Sequence, residues 1–165
     1  MGDNMKYSQH KAFTLLELIF VIIIIGILAV VAIPKFSASK DNANAVVCTH
    51  EVQQLINEIA QKYGAEEYSH FSTIPIEEIT NLSVDTTFGN GISDPLGSLV
   101  ADGVTYQCDG EPIVTLSGTV SAAGNYNLTV RDLNPINAPS AIKASELIRK
   151  LNAINAPGGS KIFRL

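Results

Sequence analysis

Lys11-Ala12-Phe13-Thr14-Leu15-Leu16-Glu17-Leu18 runs straight into an apolar segment, and the reading of this stretch decides the fold. Between Phe13 and Ile33 lie twenty-one residues whose only formal charge is Glu17. As a helix rising about 1.5 Å per residue they extend roughly 31 Å, about one hydrocarbon core. A segment of this length and apolarity reads as a membrane span. Lys6 and Lys11 precede it, so the positive-inside bias keeps the N-terminus cytoplasmic and carries everything after Pro34 across the membrane.

The carboxylate is the anomaly. A charge well inside a bilayer costs about 2.5 kcal/mol or more, so Glu17 needs a partner or a route to water. One reading places it in the first helical turn near the interface, where the helix N-terminus favours negative charge. Two ordinary N-terminal devices account for the segment less well. A secretory signal is cut after its apolar core at a small-x-small site; Ala29-Val30-Val31-Ala32 is only a loose match, and the core would be long. A permanent, uncut anchor fits the length. Neither explains Glu17.

Phe13-Thr14-Leu15-Leu16-Glu17, followed by Gly26 and by Ala32-Ile33-Pro34, resembles the N-terminus of the type IV pilin and pseudopilin family. The resemblance is close over residues 11–36 and looser along a helix to about Tyr63. It implies a leader that a prepilin peptidase removes by cutting between Ala12 and Phe13, with methylation of the new Phe13 amine. The family most often carries glycine where this chain has Ala12, the next smallest side chain. It also implies a filament-assembly contact between Glu17 and the Phe13 amine of a neighbouring subunit. Two buried charges are then neutralised only at the correct stagger, so the contact acts as a register device.

The expected organisation is a leader (1–12), a transmembrane half of one long helix (13–33), an amphipathic half (34–64) and a periplasmic globular region (65–165). The fold class is α+β, a pilin-like helix packed on an antiparallel sheet. The expected location is the bacterial inner membrane, single-pass, then a periplasmic or extracellular filament after assembly. Implied partners are the prepilin peptidase, copies of the chain itself and other pilin-like subunits, an inner-membrane assembly platform and the membrane.

Gly26 and Pro34 are expected to break or loosen the long helix, because Pro34 cannot donate the usual backbone bond. Beyond Pro34 the pattern becomes amphipathic: Ala45, Cys48, Val52, Leu55, Ile56, Ile59 and Tyr63 recur at helical spacing, and Gly64 marks a stop. Pro75 to Ile79 reads as a short helix. Phe88-Gly89-Asn90-Gly91 and Asp94-Pro95-Leu96-Gly97 read as turns, and the second resembles an Asp-Pro-aromatic-Gly loop of major pseudopilins. Strands are predicted at Val104–Cys108, Ile113–Val120 and Asn125–Val130, joined through Asp109-Gly110-Glu111 and Ala122-Ala123-Gly124 as an antiparallel meander. After the Asn134–Pro139 breaker, Ser140–Leu151 reads as a helix with Ile142, Leu147, Ile148 and Leu151 on or near one face. Lys161–Leu165 is an edge strand or tail.

The chain is 46% hydrophobic and 16% charged with no tryptophan, which suits one anchored domain. Its net charge of -5 is unevenly spread. Asp41 to Asp132 holds thirteen acidic and two basic residues, whereas Leu133 onward holds five basic and one acidic. These are either solvated faces or the complementary ends of stacked subunits, since head-to-tail contacts build open filaments. Cys48 and Cys108, expected on the oxidising side, are a candidate disulfide or two buried thiols.

Catalytic patterns are missing from the sequence. His50-Glu51-Val52-Gln53-Gln54 lacks the second histidine of a zinc-protease helix, and Gly89-Asn90-Gly91 lacks the third glycine of a dinucleotide loop. The acidic residues Asp94, Asp102, Asp109 and Glu111 are read as solvated turn residues. We expect no enzyme activity, no metal and no cofactor. The acidic body argues against direct nucleic-acid binding, which rests on clustered cations. The functional expectation is therefore a filament subunit, first a pseudopilin of a type II secretion or transformation (DNA-uptake) apparatus. A type IV pilus pilin is the alternative, and a membrane-anchored periplasmic domain the distant one.

Overall fold

The computed structural model of the chain describes residues 13–66, 68–82, 89–92, 98–100, 103–120 and 125–165. The leader to Ala12, the Asp94–Gly97 loop, Asp102 and the Ala122-Ala123-Gly124 turn lie outside the described residues. The chain divides into two compact units, one up to Ser39 and one from Lys40.

Helix α1 (Leu15–Ala65) is 51 residues long and carries Pro34 inside it. The break expected at Gly26 and Pro34 does not appear as a break in the helix. Proline removes one N–H donor, and the bonds of the turns on either side keep the helix continuous. In the first unit α1 is exposed all round: Leu15, Phe20, Ile24, Val30, Ile33 and Phe36 all face outward. Its most apolar window has a mean hydropathy of 3.2 with none of it buried, long and apolar enough to cross a membrane.

From Lys40 the same helix is one-sided. Ala45, Cys48, Thr49, Val52, Leu55, Ile56 and Ile59 are its buried residues, spaced three and four apart so that they share one face. That face joins the core formed with a five-stranded sheet. The strands are β1 (Gly91–Ile92), β2 (Val104–Cys108), β3 (Glu111–Val120), β4 (Tyr126–Asp132) and β5 (Ser160–Arg164), all antiparallel in the order β1-β2-β3-β4-β5. This is an α+β, pilin-like layout. Alternation in β4, where Tyr126, Leu128, Val130 and Asp132 are buried, follows from the two-residue period of a sheet covered on one face.

Two details correct the sequence reading. Glu111 belongs to β3, not to the turn: Asp109 and Gly110 both have positive φ (55° and 78°) and form a two-residue loop with Cys108 opposite Glu111. Asp-Gly is the preferred pair for such a hairpin, because both positions need the left-handed region. The Gly91 end of the first expected turn, Phe88-Gly89-Asn90-Gly91, pairs with β2 as β1. A two-residue strand is too short to show a period. Short helices α2 (Tyr68–Phe71) and α3 (Ile76–Ile79) lead from α1 toward the sheet.

Helix α4 (Pro139–Leu151) starts with proline in its first turn and buries Ser140, Ala141, Ala144, Ser145 and Ile148. The face expected from Ile142, Leu147, Ile148 and Leu151 is therefore wrong in part: Ile142 and Leu151 are exposed, Leu151 by 62%. Small side chains let α4 lie close to the sheet, and the buried carboxylate of Asp132 draws this face inward. Asp132 accepts hydrogen bonds from Ser145 Oγ and from the Gly158 N–H (2.9 Å), and Arg149 Nε lies 3.7 Å away. A buried charge needs such partners.

Candidate functional site

The start of α1 is built by its own side chains. Thr14 precedes the first helical residue, and its hydroxyl accepts the Glu17 N–H at 3.2 Å. In return the Glu17 carboxylate accepts from the Thr14 N–H and hydroxyl, both at 3.4 Å. This is a reciprocal capping box: a threonine at the N-cap and a glutamate three residues on satisfy donors the helix leaves orphaned. The geometry supports the first-turn reading of Glu17 within a single chain, with the carboxylate held on its own backbone. Phe13, 80% exposed, stands immediately before the box. The role of Thr14 was readable in the sequence as threonine three residues before glutamate ahead of an apolar run.

The remaining expected site residues fall elsewhere. Ala12 lies outside the described residues. Gly26 has open space where a Cβ would stand, so packing within one chain does not require glycine there. Pro34 lies within α1. Cys48 and Cys108 are joined in a disulfide with their Cα atoms 5.9 Å apart, linking α1 to the end of β2.

Around that bridge the structure gathers polar residues, among them Asp109 and Glu111, which are tied by hydrogen bonds where the sequence reading had solvated turn residues. Asn90 Nδ2 donates to Asn44 Oδ1 on α1 at 2.8 Å, and Asn90 Oδ1 accepts the Asp109 N–H at 2.8 Å. Ser140, at the start of α4, donates to Asp109 Oδ2 at 2.6 Å. The β2–β3 turn is thus tied to α1, β1 and α4 together. One turn along α1, the buried Tyr106 hydroxyl donates to Glu51. Burial first, then the bond to Glu51, pushes the Tyr106 hydroxyl far above the usual phenol range. Opposite the turn, Asn137 donates through its side chain to Glu111 and through its N–H at 3.2 Å. The Asn137 side-chain bond is the largest cause holding the exposed Glu111 carboxyl below its usual range. These contacts order the unit; among the described residues no group of acidic, histidine or cysteine side chains is placed to hold a metal.

Residues 7–33 match the prokaryotic N-terminal methylation motif. The chain is also similar to prepilin peptidase-dependent protein A of Clostridium perfringens (strain 13 / Type A), 29% identical over 100 residues. The matched region covers 58% of this chain and 66% of that relative, just under two thirds of its length. No solved structure matches the chain. The chain therefore carries a methylation motif at the head of an apolar helix and is similar to a protein named for its dependence on prepilin peptidase. Motif and helix together fit a single-pass, membrane-anchored protein.

Proposed function

We propose that this chain is a structural subunit of a pilus-like filament, cut by prepilin peptidase between Ala12 and Phe13 and methylated on the Phe13 amine. The observation that carries the reading is the methylation motif placed directly on a helix whose apolar side chains are uncovered from Phe13 to Phe36. Such a surface suits lipid before assembly and neighbouring copies of the helix after it. Helix association in lipid lacks a hydrophobic drive, so packing and polar contacts set the register. In the stored subunit the Thr14–Glu17 box keeps the carboxylate occupied; on assembly Glu17 meets the Phe13 amine of a neighbour. The globular unit faces the periplasm and coats the filament. The subunit does no chemistry of its own, and any part in DNA uptake runs through the machine.

Within this class, a pseudopilin of a type II secretion or transformation apparatus is the preferred reading. Type IV pilins usually carry a disulfide loop near the C-terminus, whereas here Cys48–Cys108 ties α1 to β2. The test is intact mass and N-terminal sequencing of protein from its native membrane, together with a Glu17→Ala variant. A chain beginning at methylated Phe13 is expected; an N-terminus at Met1 or Ile33 refutes the reading. Glu17→Ala should insert normally but lower filament yield by about 100-fold, the scale of leaving one buried charge without its partner.

A further inference from the structure

Between α1 and α4, wholly within the second unit, lies a groove of about 360 Å³ walled by Val46, Leu147 and Leu151 with Lys150 at its rim. Val46 and Leu151 are each about 60% exposed (59% and 62%), so the wall is uncovered in the single chain. Gln53 also lines it, and its Nε2 is buried without a hydrogen-bond partner. A buried amide donor lacking an acceptor is costly, and native proteins supply one from water or a partner. One turn before Leu147, Lys143 donates to Asn42 across the same seam. The groove thus offers apolar contact, an unused donor and Lys150, with Lys143 beyond it along α4. Its chemistry asks for an exposed acidic segment.

The chain itself presents such a segment. In α3, Ile76 and Ile79 are buried while Glu77 and Glu78 point outward. Neither these two carboxylates nor Lys150 has an ion-pair partner among the described residues. Ile79 borders a hollow shared with Lys62 and Ala65 of α1. That level is nine to twelve residues beyond Gln53 along α1, roughly 14–18 Å at helical rise. Basic groove and acidic turn therefore sit at different levels of one helix. They meet most directly when a second copy is displaced along it, and a displaced heterologous contact propagates as an open filament.

We propose that the α1–α4 groove is a docking site for a second copy of this chain, with Glu77 and Glu78 of one subunit set against Lys143 and Lys150 of the next. This assignment rests on the filament reading and specifies one of its lateral contacts. The test uses the full chain in its native host, with filament yield as readout and formation of the Cys48–Cys108 bridge as the check on folding. Lys143→Glu/Lys150→Glu and Glu77→Lys/Glu78→Lys should each cut the yield by about tenfold or more, because like charges then face one another. Combining all four changes in one chain restores opposite charges and should restore the yield. Either pair leaving the yield unchanged, or a loss that the combination does not rescue, overturns the assignment. Glu17→Ala separates the two ideas. Filaments lost with Glu17→Ala but indifferent to the groove changes refute only the groove; filaments that survive Glu17→Ala refute the assembly mechanism itself.

Discussion

Leu15 to Ser39 and Lys40 to Ala65 are parts of one helix, yet they are made for different surroundings. The first part is apolar on every side from Leu18 to Ile33 and buries nothing within the chain. The second keeps its apolar residues to one face, closed by the sheet and by the bridge to Cys108. Backbone hydrogen bonding is the same in both; what changes is the distribution of side chains around the axis. A helix apolar all round needs a solvent other than water, and a one-sided helix needs only a core. The lesson is that continuity of secondary structure says little about continuity of environment.

The largest test of this contrast truncates matched residues in the two parts. Leu55→Ala should destabilise the globular unit by about 2–5 kcal/mol, the cost of a lost methylene contact plus a cavity in a tight core. Ile24→Ala should leave its thermal unfolding unchanged, since Ile24 is 55% exposed. Equal effects would show that the two parts are not independent. The bridge comes next. Replacing Cys48 and Cys108 together with serine should cost about 2–4 kcal/mol in denaturant unfolding, because the closed loop restricts the unfolded chain.

Two glycines sharpen the contrast further. A Cβ at Gly118 would stand 1.8 Å from the Tyr126 hydroxyl, whereas at Gly26 it meets nothing within 4 Å. Gly118→Ala should therefore destabilise by about 1–3 kcal/mol as the Tyr126 ring is displaced. Gly26→Ala should leave the globular unit's unfolding unchanged and act, if anywhere, on filament yield. The smallest effect is electrostatic. The Glu111 carboxyl titrates below its ordinary value because of Asn137. The contact therefore stabilises the fold above the unfolded pKa and is lost as pH falls through the lower, folded one. In Asn137→Ala the Glu111 titration followed by NMR should move upward, and the small stabilisation that the contact gives near neutrality should be lost.

Much of the architecture was legible because it rests on periodicity. The apolar run from Phe13, the face from Ala45 to Ile59 and the strands around Val104, Ile113 and Tyr126 each carry a clear local pattern. Less was legible where partners distant in the chain compete with local pattern. In α4, Leu151 looked like a core residue, but Ser140, Ala144 and Ser145 are buried instead because Asp109 and Asp132 are there to receive the two serines. The Glu51–Tyr106 pair and the Asn44–Asn90–Asp109 links join residues with no sequence signal to connect them.

By itself the sequence determined what each segment can tolerate: which helix half needs lipid or other helices, which half needs a core, and where the chain must turn. These are properties of side-chain period and of residues such as the Asp109-Gly110 pair, and they hold whatever the rest of the chain does. Tertiary structure alone decided which face α4 buries and that Cys48 meets Cys108. Hydrogen bonds and disulfides act over a few ångströms. Their partners are chosen only after the fold has brought them within reach.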